Sequence, residues 1–185
     1  RKAVMAAGPE DLREEDREYM EEMVKPYFAA AATWYSSIRA GMKAGELYDL
    51  IEACVPKAVY GWTLNPGHLT GEEEWLSSPI YPGSDITLES GEMLQMDIIL
   101  SRKGLKGANA EDGIVLADAS LREQLQKQYP QVWERMQARR TYMEEELHIP
   151  LHPDVLPLSN TAGYFRPYLL NHHKAMQRTA EEGNR

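Results

Sequence analysis

Cysteine is nearly absent from this 185-residue sequence: Cys54 stands alone, so no internal disulfide can form and stability has to come from an apolar core. Long apolar runs are missing as well. No stretch approaches the ~20 residues that a membrane-spanning helix needs, and none has the apolar segment of a signal peptide, so a cytoplasmic protein without a membrane partner is expected. Basic side chains are in deficit, 20 against 29 acidic ones, for a net charge of −9 and a pI near 5.1. That balance offers no electrostatic footprint for nucleic acid. Histidine is scarce too: His68 is the only one in the first 147 residues. What is present is 43% hydrophobic and 26% charged residues, enough for one core and one domain over residues 1–185. The first residue is Arg1, which fits a processed or partial domain.

The amino-terminal third reads as helix. Acidic residues follow Pro9, as at a helix start, and Met20, Val24, Tyr27, Ala31, Trp34 and Ile38 recur at spacings of three and four. A helix over 10–40 is predicted, with one face in the core and a kink near Met23 to Pro26, because Pro26 lacks an amide proton. A second helix is predicted over 45–55, with Leu47, Leu50, Ile51 and Cys54 buried. Cys54 then serves as a small core residue, since nothing beside it would lower its pKa.

From Pro56 to Gly91 the chain is rich in proline and glycine and excludes long helices. Met93 to Leu100 (MLQMDIIL) and Gly113 to Ala117 (GIVLA) then read as strands of an antiparallel hairpin. Helices return over 121–128, with Ser120 as cap, and from Pro130 onward, with Val132, Met136, Met143 and Leu147 on one face. Prolines 150, 153, 157 and 167 forbid a long element after His148, and the final Gly-Asn-Arg is expected to fray. The order of elements gives an α+β domain.

Three residues stand out together: His68 in a turn-rich loop, Asp97 inside an apolar strand and Glu111 ahead of the neighbouring strand. Imidazole and carboxylate ligate divalent cations such as Zn, Mn, Co or Fe. A hairpin brings the two acids side by side. An acid in a buried strand has to meet a cation or several donors, whereas in a half-exposed strand it can simply face water. The run Glu72 to Glu74 reads as a solvated face, His172 and His173 as surface residues, and Arg139 and Arg140 as partners of Glu144 and its neighbours. The tryptophans Trp34, Trp62, Trp75 and Trp133 read as core or interface anchors.

The segments LNPGHLTGEEEW, SPIYPGS, SGEMLQMDIIL and EDGIVLAD, with WERMQARRTYMEEELHIPLHPDVLPLSNTAGY, resemble the carboxy-terminal domain of the pita-bread metallopeptidases. That group holds Xaa-Pro aminopeptidases, prolidases, methionine aminopeptidases and creatinase. The resemblance implies a curved antiparallel sheet covered by helices, a two-metal hydrolysis of short peptides and a homodimer. It also places metal ligands at His68 (GHLTG), Asp97 (SGEMLQMDI) and Glu111 (EDGI).

The sequence departs from that pattern at four places. The family's pair of aspartates belongs upstream of the first helix, and no such pair precedes it here, so the domain is expected to be partial and to lack its first strands. Asp97 takes the place of a glutamate and is one methylene shorter. Trp75 takes the place of a second histidine, and Asn109 stands where an arginine is frequent. The expectation is an incomplete metal site, with this chain alone inactive. The alternative is a peptidase-like binding or assembly module that has lost its metals.

Overall fold

The computed structural model describes residues 2–71 and 77–179. Glu72 to Glu74, Trp75 and the terminal Gly-Asn-Arg lie outside the described residues. The helices are α1 (Lys25–Ser37), α2 (Ala44–Cys54), α3 (Lys57–Tyr60), α4 (Ala119–Gln128) and α5 (Pro130–Thr141), and the strands are β1 (His68–Leu69), β2 (Met93–Asp97), β3 (Glu111–Leu116) and β4 (Val155–Pro157). The result is the expected α+β arrangement, an antiparallel sheet of order β1-β2-β3-β4 with helices packed against it. Among the described residues no helix is long and apolar enough to cross a membrane.

The first helix is shorter than its periodicity predicts. Residues 9–16 form two separate 3-10 turns, and a π-turn over Met20–Val24 leads into α1. Pro26 explains the break: it cannot donate to the carbonyl one α-turn back, so the preceding turn widens to a bond from Lys25 to Met20. The predicted face is nonetheless the buried one, with Val24, Tyr27, Ala31, Trp34 and Ile38 all inside.

In α2 the prediction needs correction. Leu47 and Ile51 are buried, but Leu50 and Cys54 are exposed, and Tyr48 and Val55 take their places in the core. The stripe runs through 44, 47, 48, 51 and 55, and at 100° per residue positions 50 and 54 fall beyond its edge. The cap of α4 is Asp118 rather than Ser120: its carboxylate accepts from the Leu121 amide at 2.8 Å, and that bond lowers the Asp118 pKa below the usual carboxylate range.

Alternation divides the sheet into two faces. Leu94, Met96, Ile114 and Leu116 point into the main core with α1 and α2. The opposite face carries His68, Gln95, Asp97, Glu111, Gly113 and Val115. Its β3–β4 end is covered by α4 and α5 through Val115, Leu156 and Met136. Arg140 fixes that end: its guanidinium donates to the carbonyls of His152 (2.9 Å) and Val155 (2.6 Å) and pairs with Glu144 at 2.9 Å, as the sequence suggested. Arg139 instead donates to Asn160. The end of the face at β1 and the open ends of β2 and β3 is left for polar side chains.

Candidate metal centre

Three adjacent strands each deliver one candidate ligand. β2 and β3 pair so that Asp97 and Glu111 are directly opposite, and β1 pairs with β2 so that His68 faces Gln95, two residues along from Asp97. Directly opposite residues, and residues two apart on a strand, share a face. The register therefore places all three side chains on one side of the sheet. Among the described residues, one ligand atom from each lies within 4.8 Å of the other two. His68 Nε2 is 3.5 Å from Glu111 Oε1 and 3.9 Å from Asp97 Oδ2.

His68 arrives in this position by local constraint. It follows Asn65-Pro66-Gly67, where Gly67 has φ +123°, a conformation that side chains other than glycine rarely adopt. A Cβ there would lie 2.7 Å from the Gln95 carbonyl oxygen. The turn is held from behind: Trp34 Nε1 donates to the Pro66 carbonyl at 2.7 Å, and Ser78 Oγ donates to the Gly67 carbonyl at 2.7 Å. His68 and Asp97 are buried, while Glu111 is exposed and reaches the group from the solvent side.

The protonation pattern of the imidazole suits a ligand. Nδ1 lies 2.9 Å from the Leu69 carbonyl oxygen, which can only accept, so Nδ1 carries a proton and Nε2 turns toward the two carboxylates. Two acids directly opposite on neighbouring strands repel one another, and a cation held between them would relieve that repulsion. Separations of 3.5 and 3.9 Å exceed the ~2.7–3.2 Å of a direct hydrogen bond. They approach the ~3.4 Å expected of atoms that share a tetrahedral cation at about 2.1 Å. The donor set and its spacing fit a divalent ion. A cavity of about 160 Å³ adjoins the group, lined by Thr63, Leu64, Asn65 and Ser78 beside His68 and Asp97.

The other singled-out residues fall elsewhere. Asn109 continues the Glu111 face at the start of β3, buried, with its backbone paired in both directions to Lys2. Trp34 and Trp62 are core residues, and His172 and His173 are exposed, as expected. What pattern reading missed is β1 itself and the polar atoms of Tyr27 and Trp34. A two-residue strand has no periodicity to detect, and the only local signal was Pro-Gly immediately ahead of a histidine.

Among solved structures, likenesses cover about half of this chain. A dipeptidase from Pyrococcus horikoshii matches at 24% identity over 53% of this chain and 28% of its own, with a TM-score of 0.44. The chain resembles pita-bread peptidases. A prolidase from Thermococcus sibiricus matches at 22% identity over 55% of this chain and 28% of its own (TM-score 0.46). A methionine aminopeptidase from Rickettsia prowazekii matches at 15% over 54% of this chain and 49% of its own (TM-score 0.42). No family model matches the sequence, and no curated protein matches it. The matched region spans less than half the length of each of these peptidases, so the chemistry has to be read from the side chains of this chain.

Proposed function

We propose that this chain is part of a metallopeptidase domain of the Xaa-Pro aminopeptidase and prolidase type, in which His68, Asp97 and Glu111 hold a divalent cation, Mn, Co, Zn or Fe, for hydrolysis of short peptides. The observation that carries this reading is the convergence of one imidazole and two carboxylates from three neighbouring strands onto one face. When bound, such an ion lowers the pKa of a ligated water toward neutrality and polarises a carbonyl. The chain's residues divide the remaining work. His68 is fixed in its tautomer by the Leu69 carbonyl, Asp97 supplies a buried carboxylate, and Glu111 supplies a second carboxylate at the solvent boundary. The neighbouring cavity is smaller than the ~300 Å³ at which drug-sized sites begin, and suits a single residue of a peptide. A cytoplasmic homodimer acting on short peptides goes with this reading.

A second reading has its own observation. Asp97, the shorter of the two acids, stands farther from His68 than Glu111 does, 3.9 against 3.5 Å. A centre drawn up short in this way suits a peptidase-like binding or assembly module without turnover. The two are separated by titrating the purified full-length parent protein with Mn²⁺, Co²⁺ and Zn²⁺ in a calorimeter and assaying an Xaa-Pro dipeptide in each metal. Turnover abolished by His68→Ala supports the peptidase. Absence of both binding and turnover supports the module that has lost its metals and removes the metal reading, whereas metal binding without turnover keeps the metal site and removes the peptidase activity.

A further inference from the structure

Helix α1 presents Tyr27 and Trp34 on one face, two turns apart, and both are buried. Each ends in a polar atom, and each polar atom meets the main chain just ahead of a candidate ligand. The Tyr27 hydroxyl donates to the Ala110 carbonyl at 3.0 Å and accepts from the Ala110 amide at 2.6 Å, one residue before Glu111. Trp34 Nε1 donates to the Pro66 carbonyl at 2.7 Å, two residues before His68.

We propose that Tyr27 and Trp34 are positioning residues of the metal centre: a rigid helix fixes, at two points, the backbone segments that deliver Glu111 and His68, and so sets the distance between the two ligands. This inference rests on the metal reading above. The sheet by itself does not set that distance well. β1 has only two paired residues, and Ala110 lies just outside the paired run of β3. At Ala110 one phenol oxygen takes the place of a neighbouring strand, serving both the amide and the carbonyl. Removal of that oxygen leaves two buried main-chain groups of Ala110 without that partner and loosens the hold on the residue just ahead of Glu111. Removal of the indole N–H releases the turn in which Gly67 orients His68. Helix packing thereby reaches the ligand geometry without either side chain touching an ion.

The test is a Co²⁺ titration of the 185-residue chain followed by its visible d–d absorption, which reports ligand geometry separately from stability. Tyr27→Phe and Trp34→Phe are each expected to weaken Co²⁺ binding about 10-fold, the lower end of outer-sphere effects on metal sites, and to change the spectrum at saturation. Trp62→Phe is the matched control: it loses a buried indole bond of 2.7 Å to the Val55 carbonyl, not to a carbonyl within two residues of a candidate ligand, and should leave both readouts as in the unaltered chain. Circular dichroism checks folding, and where one variant does not fold the other decides. Wild-type affinity and spectrum in the folded variants overturn the positioning role while leaving the metal site standing. Absence of a Co²⁺ spectrum in the unaltered chain, or its survival in His68→Ala, overturns the metal reading itself and the inference with it.

Discussion

Gly67→Ala should cost far more than an ordinary glycine replacement, and the structure allows the cost to be divided. Gly67 has φ +123°, and an added Cβ would lie 2.7 Å from the Gln95 carbonyl oxygen and 3.1 Å from Trp34 Nε1. The backbone conformation alone penalises an L-residue by about 1–2 kcal/mol. The contact with Gln95 is to the main chain of β2, which cannot swing aside, and overpacking of that kind adds about 1–3 kcal/mol. A total near 3 kcal/mol corresponds to a fall in Tm of roughly 6–12 °C for a chain of this size. Gly83 supplies the control: it also has a positive φ, +68°, but nothing lies within 4 Å of its added Cβ, so Gly83→Ala should show the backbone penalty alone, about 2–4 °C per kcal/mol. Differential scanning calorimetry of the two variants reads the difference. Equal shifts would refute the close approach of Gly67 to β2, and with it the account of how His68 is aimed.

Asp97→Glu extends the farther of the two carboxylates by one methylene toward the His68 group, with the neighbouring cavity to take the added volume. It should tighten Mn²⁺ or Co²⁺ binding about 10-fold, or ~1.4 kcal/mol, by calorimetry; weaker binding would mean that Asp97 already sits at its working distance. Arg140→Lys cannot reproduce a fork that reaches two carbonyls and Glu144, and should lower the denaturation midpoint by about 2 kcal/mol of stability with an unchanged slope, whereas no change would remove Arg140 as the clamp of β4. Burial pushes the Tyr19 hydroxyl well above the usual tyrosine range. The unfolded chain ionises that group near pH 10 and the folded chain does not, so its stabilising effect is present below about pH 10 and is lost as the pH climbs beyond it. Tyrosinate absorbance from Tyr19 should rise together with alkaline unfolding, and Tyr19→Phe should carry that transition to higher pH; ionisation well before unfolding would show that the hydroxyl is accessible.

Elements with a long repeated pattern were legible in the sequence. The face through Val24, Tyr27, Trp34 and Ile38 could be read because a helix repeats its contacts every turn, and the hairpin of β2 and β3 could be read because two short apolar runs with β-branched residues stand on either side of a glycine-rich loop. That much brought Asp97 opposite Glu111. The π-turn ahead of Pro26, the shift of the α2 stripe away from Leu50 and Cys54, and the choice of Asp118 over Ser120 as a cap each depend on a competition between near-equal local geometries. Such competitions are decided by what packs on the element, which a one-dimensional pattern does not contain. β4, broken by proline and only three residues long, belongs to the same class.

His68 lies at the far end of this scale. Its paired strand is two residues long, and its direction is set by Gly67 touching β2 and by an indole on a helix more than thirty residues away in sequence. The motif around it allowed its chemistry to be named without showing what holds it. The same asymmetry applies to Tyr27 and Trp34. Periodicity classed them as apolar core, which their rings are, yet a tyrosine and a tryptophan each carry one polar atom that has to find a partner once buried. In α1 the partners are the main-chain groups next to two candidate ligands. A buried aromatic residue with a polar tip is therefore the place where core packing and site geometry are coupled. In this chain, changes to the ligand spacing should follow changes on that helix face more closely than changes in the polar loop around His68.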